Sequence, residues 1–175
     1  MFRRICFLAF VPMILSGTAY PCSLIEDVSS TKMVKEADAI VRAEAAEYIK
    51  APRNFPKEST TGEPNSTIRF KVLEVIRGSL PSNLILPGYL VENDDFNDHG
   101  PPYNFVRPNG RRGSCFANSY RLGGQFLLLL KKRSGEYTVN WYALGPVNEQ
   151  LHSANDAWLL WVREEAKKQS VPHTK

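Results

Sequence analysis

Residues 67–76, Thr-Ile-Arg-Phe-Lys-Val-Leu-Glu-Val-Ile, are the stretch of the chain that most clearly predicts its fold. The apolar residues Ile68, Phe70 and Val72 alternate with two basic residues. Because successive side chains of a strand point to opposite faces, this period of two predicts a strand with one buried and one solvated face. A turn at residues 77–79, Arg-Gly-Ser, ends it.

Four further strands are predicted along the chain. Ala37 to Tyr48 begins with an apolar group, although its alanines and glutamates suit a helix equally well. Leu84 to Val91 predicts the next strand, with a bend or bulge at Pro87-Gly88. The continuous apolar run from Gln125 to Leu130 is typical of a central strand buried on both faces. Tyr137 to Leu144 pairs back on it as a hairpin.

Two helices flank these strands. Ser29 or Ser30 caps a short one that ends at Glu36, and Ser153 caps a longer one that reaches about Lys168. The 12 prolines and 11 glycines lie mostly between apolar runs and indicate many turns. Together these patterns predict a mainly β domain in which five strands form a small closed barrel. The apolar side of the second helix is expected to hold Ala157, Leu160 and Trp161.

The first 19 residues have the three parts of a signal peptide. Arg3 and Arg4 form the basic start, an apolar run from Ile5 to Leu15 follows, and small residues precede a cleavage site after Ala19. The apolar run is shorter than the roughly 20 residues that a bilayer span needs, which disfavours an uncleaved anchor. We therefore expect a secreted or periplasmic protein with no membrane span after cleavage.

Cleavage after Ala19 leaves 156 residues (175 − 19), the size of one domain, which we place at 20–170 with a flexible tail at 171–175. The remaining 20 basic and 18 acidic residues give no basic excess, so nucleic acid is not an expected partner. Cleavage also removes one of the three cysteines. In an oxidising compartment the other two, Cys22 and Cys115, predict a single disulfide.

The polar segment 93–100 invites a calcium interpretation, but the pattern fails. With Asp95 as position one of an EF-hand loop, position twelve is Val106 instead of a glutamate. We therefore predict no metal site, and interpret the segment as a solvated acidic loop that faces the basic residues after it. The candidate partner-binding residues of this loop are Asp94, Asp95, Asp98, Arg107, Arg111 and Arg112.

No set of residues predicts catalysis. The segment Gly113-Ser114-Cys115-Phe116 faintly resembles the surroundings of a papain-type nucleophile, but only 60 residues follow that cysteine. In that family the histidine base lies more than about a hundred residues downstream. The three histidines, His99, His152 and His173, are scattered. We predict a non-enzymatic protein without a cofactor, and an enzyme remains open only if its site is assembled in space.

In the order of its pieces the chain resembles the netrin-like domain of the tissue inhibitors of metalloproteinases (TIMPs). The similarity begins with Cys22 and with Glu36 to Ala43, which is like the family's first strand. Val75-Ile76-Arg77-Gly78 is similar to the end of its second strand, and residues 113–116 to the region of the cysteine that bridges back. The segments that resemble the final hairpin and the helix after it are Gln125 to Leu130, Gly135 to Leu144 and Pro146 to Trp161.

The resemblance implies a five-stranded OB-type barrel and a disulfide from Cys22 to Cys115. In the inhibitors, an N-terminal cysteine chelates the protease zinc through its α-amine and carbonyl, which here implies Cys22. Predicted cleavage, however, leaves Tyr20 and Pro21 ahead of that residue, and Leu24 replaces the family's second cysteine. The favoured hypothesis is therefore a binding module for a protein or cell-envelope ligand. Metalloprotease inhibition is the alternative if the chain starts at Cys22.

Overall fold

The computed structural model describes residues 29–53 and 64–170. Within these ranges the chain is mainly β, with one large antiparallel sheet, two α-helices and a short π-helical turn at Gly110–Ser114. None of the helices in the described ranges is long and apolar enough to cross a bilayer. The predicted signal peptide, Cys22, the start of the first predicted helix and the tail 171–175 lie outside these ranges.

Eight strands are present in the described residues. In chain order they are β1 (Ala39–Lys50), β2 (Thr67–Arg77), β3 (Asn83–Pro87), β4 (Tyr89–Val91), β5 (Ser119–Arg121), β6 (Gln125–Arg133), β7 (Glu136–Val139) and β8 (Asn148–Leu151). Five of them form a continuous path in the order β3-β2-β1-β6-β7, and β8 also pairs with β6. The short strands β4 and β5 form a separate parallel pair. Four of the five predicted strands are thus present with shifted ends, whereas the one predicted over Leu84 to Val91 is divided into β3 and β4, which belong to different sheets.

The hydrogen-bonded path ends at β3 on one side and at β7 on the other. Every neighbouring pair along this path is antiparallel. Among the described residues no ladder joins β3 to β7, so the closed OB-type barrel stays a prediction. Strand β6 lies inside the sheet path and is buried, because the side chains from Phe126 to Leu130 are all at most 2% exposed. This confirms the prediction of a strand buried on both faces.

The break between β3 and β4 falls at Gly88, where the sequence predicted a bend. A Cβ atom at Gly88 would lie only 2.6 Å from the Tyr120 ring, so a larger residue does not fit without a shift of that ring. Gly88 N donates to Ser66 O at 3.2 Å, and Tyr89 N then donates to Asn118 O at 2.9 Å. The chain therefore leaves β2 at this point and turns toward β5.

Helix α1 (Ser30–Glu36) begins as predicted, because the Ser29 side chain accepts a hydrogen bond from Lys32 N at 3.2 Å. Ser30, the alternative cap, is buried and its hydroxyl lies 2.7 Å from Asn104 Oδ1. Helix α2 (Ala157–Ser170) starts later than predicted. Its cap is Asp156, whose Oδ1 accepts from Trp158 N at 2.9 Å, so the prediction of Ser153 as the cap is wrong.

The buried face of α2 also differs from the predicted one. Ala157 is exposed and Leu160 is 45% exposed, so both point away from the core. The helix packs against β2 and β8. Of the three predicted residues, only Trp161 packs against the core. The buried residues of α2 are Trp158, Leu159, Val162 and Ala166.

Candidate functional site

The loop between β4 and β5 is fastened to the sheet by the side chain of Arg107. This side chain is 0% exposed and forms an ion pair with Asp95. Its Nε donates to Asn148 O of β8 at 2.8 Å. Its Nη2 donates to Ala117 O at 2.9 Å and to Ser119 O at 2.7 Å. One guanidinium therefore joins the loop, the start of β5 and β8.

Aromatic rings and the backbone of the loop complete the surroundings of this guanidinium. The Arg107 Cζ atom lies 5.5 Å from the ring centroid of Tyr120 and 5.4 Å from that of Phe126. Asp95 is held in place because its Oδ1 accepts from Asn109 N at 2.9 Å. The prediction that Arg107 contacts a partner is wrong, since its charge is buried and bound within the chain.

The other charged residues of the loop also pair largely with each other. Arg111 donates to both oxygens of Asp98, at 3.1 and 2.5 Å, and holds the pKa of that carboxyl well below its usual range. Asp94 forms an ion pair with Arg121 at 3.1 Å and accepts from Gln150 Nε2 at 2.6 Å.

The acidic residues of the loop thus pair with basic residues of the loop itself and, for Asp94, with Arg121 of β5. Arg112 is exposed, and in the described part of the chain it has no ion pair. A partner-binding role stays a prediction for the exposed residues Asp94, Asp98 and Arg112 and for the partly exposed Asp95 and Arg111.

Sequence reasoning missed Glu149 on β8. The residue is 1% exposed, and neither carboxylate oxygen has a hydrogen-bond partner among the described residues. Burial raises the pKa of its carboxyl to about 7 against the opposing influences of the Arg107 charge and of the nearby Asn97 side chain, whose contact with the carboxylate falls short of hydrogen-bond geometry. Asp95 and Asp156 add to the rise. Because the local sequence Asn-Glu-Gln-Leu is mostly polar, nothing in it signals a buried strand.

Each of the two histidines in the described ranges lies beside an aspartate. His152 Nδ1 lies 2.9 Å from Asp156 Oδ2, and His99 Nδ1 lies 3.0 Å from Asp98 Oδ1. No group of three or more metal-binding side chains is placed to hold an ion within residues 29–53 and 64–170. Cys115 is disulfide-bonded, and because Cys22 lies outside the described residues its role as the partner stays a prediction.

A groove of about 990 Å³ lies between the two free ends of the sheet path, where β3 faces β7. One wall carries Ile85, which is 52% exposed, and the other carries Tyr137. Phe116 and Trp141 lie on the lining as an edge-to-face pair with ring centroids 5.5 Å apart. No sequence motif predicts this groove, because residues from distant parts of the chain form it.

No protein-family model matches the chain, and no curated protein is significantly similar to it. The resemblance to the TIMPs therefore rests on the motifs of the sequence alone. The roles of the groove and of the loop between β4 and β5 therefore follow from their geometry alone.

Proposed function

We propose that this chain is a secreted or periplasmic binding module with a TIMP-like OB barrel, and that it engages a protein ligand in the groove between β3 and β7. The observation that carries the proposal is the apolar and aromatic lining of that groove, in which Ile85 is exposed and Phe116, Tyr137 and Trp141 are partly exposed. Its volume of about 990 Å³ lies within the range of known ligand sites, roughly 300–1,000 Å³.

The composition of the lining supports binding over catalysis. Glu136 is the one carboxylate of the described lining, which includes no histidine or cysteine. Apolar contact area comes from Ile85, Phe116 and Trp141, while the amide side chain of Asn83 offers polar contacts. Aromatic residues with a few polar groups around them are typical of protein-binding surfaces.

The loop from Asp94 to Arg112 serves in this proposal as a scaffold. Its buried Arg107 reaches Ala117 O and Ser119 O, and Ala117 is followed by Asn118, which lines the groove. The loop thereby fixes the segment that carries Phe116. The ion pairs of the loop hold the groove in shape and leave ligand contact to the groove itself.

Panning of a random peptide library displayed on phage tests this function. The bait is the folded, non-reduced protein, and enriched peptides are measured against Ile85→Asp, which places a charge in the groove. Leu122→Asp is the matched control, because Leu122 is 54% exposed and does not line the groove.

We expect enriched peptides that bind the wild type and Leu122→Asp equally and lose at least about tenfold in affinity with Ile85→Asp, or about 1.4 kcal/mol. The proposal is overturned if no peptide is enriched. It is also overturned if Ile85→Asp binds the enriched peptides as well as the wild type does.

A further inference from the structure

The outer edge of β3 presents hydrogen-bonding groups of the backbone to the groove. Gly88 N donates to Ser66 O of the segment before β2, at 3.2 Å. In an antiparallel ladder, residues that bond to the neighbouring strand alternate with residues whose N–H and C=O groups point away. Like Gly88, Leu86 and Leu84 therefore bond on the side of β2. The residues between them point the other way, so the backbone N–H and C=O groups of Asn83 and Ile85 and the carbonyl of Pro87 face away from β2.

The outer edge of β7 has the same character. Asn140 N donates to Leu129 O at 2.9 Å, so the alternation places the backbone groups of Tyr137 and Val139 on the outer side. The Val139 carbonyl already accepts a hydrogen bond from Trp141 N at 2.8 Å. The N–H of Val139 and both groups of Tyr137 then face the groove. Two rows of donors and acceptors therefore line one cleft.

The direction of the strands explains why these rows do not bond to each other in a ladder. Four antiparallel steps separate β3 from β7 along the path, so these two strands run in the same direction. Direct closure would need a parallel ladder, which is slightly less stable per residue than an antiparallel one. A sixth strand that runs the opposite way is antiparallel to both edges and satisfies both rows.

We propose that the cleft between β3 and β7 accepts one extended segment of a partner protein as this sixth strand. The inference rests on the proposed function and names the form in which the ligand binds. Such strand addition obtains affinity from backbone hydrogen bonds and specificity from alternate side chains. Ile85 and Tyr137, on opposite walls, contact alternate side chains of the segment.

The antiparallel direction decides which end of the segment lies where, and the charges of the protein decide which residue suits that end. A strand antiparallel to β7 ends beside the start of β7, next to Arg133 and Glu136. Lys132 is also close, with its Nζ 5.7 Å from the Tyr137 ring centroid. In the described residues neither Lys132 nor Arg133 has an ion pair, so two cations outweigh one anion here. We therefore assign an acidic residue to the C-terminal end of the segment.

Entry of the segment requires the two edges to part. Some Cα atoms of β3 and β7 lie within 8 Å of each other, whereas two flanking ladders need about 10 Å between the edges. At one end a side-chain contact joins β7 to the turn between β2 and β3, where Tyr137 Oη donates to Ser79 O at 3.0 Å. Tyr137→Phe removes this contact, and we expect it to increase the association rate of the segment.

Single amide-to-ester replacements in an enriched peptide test the proposal. Each replacement removes one N–H without adding bulk. A strand between two edges bonds to them with alternate residues, so replacements at two consecutive central positions must both weaken binding, each by about three- to tenfold. Sensitivity at alternate positions only indicates addition to one edge and overturns the proposal, as does insensitivity at both positions. In these two cases the proposed function itself stands, whereas it fails if panning enriches no peptide.

Two variants of Ile85 test the same backbone hydrogen bonds from the side of the protein. Ile85→Pro removes an outward N–H without removing a bond to β2, and Ile85→Val retains that N–H. We expect Ile85→Pro to bind the peptide more weakly than the wild type does and Ile85→Val to bind it normally, with far-UV circular dichroism confirming that both fold.

The charge at the end of the segment is tested separately. Arg133→Glu should bind a peptide that ends in aspartate more weakly, and one that ends in lysine more tightly, than the wild type does. Equal binding of both peptides to wild type and Arg133→Glu overturns the assigned direction.

Discussion

At the scale of single residues, Glu149 links the stability of the fold to pH. Burial raises the pKa of its carboxyl from the ordinary 4.5 to about 7. Between pH 4.5 and pH 7 the carboxyl is therefore protonated in the folded chain and ionised in the unfolded chain. Below about pH 4.5 the carboxyl is neutral in both states, and as pH rises through about 7 the folded state loses this advantage.

We expect Glu149→Gln to be more stable than the wild type at pH 8 and to lose that advantage at pH 4.5. The amide is neutral at both pH values, so the variant avoids the buried charge. The shift in pKa corresponds to a change of about 3 kcal/mol in the relative free energy of unfolding between the two pH values. Urea unfolding at both values measures it, and Glu164→Gln, at an exposed position, is the control. A pH-independent difference between Glu149→Gln and the wild type contradicts the prediction.

Arg107 is the second buried charge, and its removal leaves several groups without partners. We expect Arg107→Met to lower the free energy of unfolding by about 3–5 kcal/mol, because Asp95 loses its ion pair and three carbonyls lose a donor. Chemical denaturation measures the loss, with the exposed Arg112→Met as the control. A loss below about 1 kcal/mol, the size typical of an exposed ion pair, means that the guanidinium does not brace the loop.

Neither role was predictable from the sequence. Arg107 stands among arginines, glycines and prolines, a composition typical of an exposed loop. Its burial depends on carbonyls of Asn148, Ala117 and Ser119, which only the folded chain brings together. The prediction that the acidic residues of the loop face its basic residues is confirmed for one pair, since Asp98 forms an ion pair with Arg111.

At the scale of elements, the strands were predicted where a local pattern reports burial. Ile68 and Phe70 are buried as their period of two indicates, and the run of β6 is buried throughout. The first residue of α2 was predicted wrongly because several serine, asparagine and aspartate residues precede the helix, and any of them can cap it. Tertiary contacts decide between them, as His152 N also donates to Asp156 Oδ2 at 2.9 Å.

We expect Asp156→Ala to destabilise the chain by about 1–2 kcal/mol, because the first turn of α2 and the backbone of His152 both lose their acceptor. Ser153→Ala is the control. The Ser153 hydroxyl accepts only from Asn155 N at 3.1 Å in the turn before the helix, so we expect a change within about 0.5 kcal/mol. Thermal unfolding followed by circular dichroism compares the two. Equal losses restore Ser153 as a capping residue.

At the scale of the whole molecule, the groove between β3 and β7 arises from the topology of the sheet. Five strands in an all-antiparallel path end in two strands of the same direction, and this follows from the order β3-β2-β1-β6-β7. The sequence predicted the five strands, but the pairing of β1 with both β2 and β6 is a long-range property. Without that pairing neither the neighbours of β3 and β7 nor the groove between them is visible.

The predicted disulfide belongs to the same scale, because a bond from Cys115 to Cys22 would tie the predicted start of the mature chain to the segment before β5. Closing a loop of about 94 residues stabilises the folded state by about 4 kcal/mol in the chain-entropy model. We expect Cys115→Ser to lose up to that amount of unfolding free energy, and reduction of the wild type to have the same effect. Urea unfolding with and without reductant measures both.

The partner of Cys115 decides what the N-terminus is able to do. If it is Cys22, Cys22→Ser must show the same loss as Cys115→Ser, and Cys6→Ser must leave the secreted protein unchanged, since cleavage after Ala19 removes that residue. N-terminal sequencing of the same samples gives the first residue. A start at Tyr20 leaves the nitrogen of Cys22 in a peptide bond, which supports a stabilising role alone. A start at Cys22 frees its α-amine for the zinc of a metalloprotease, and inhibition of such an enzyme then replaces groove binding as the leading hypothesis.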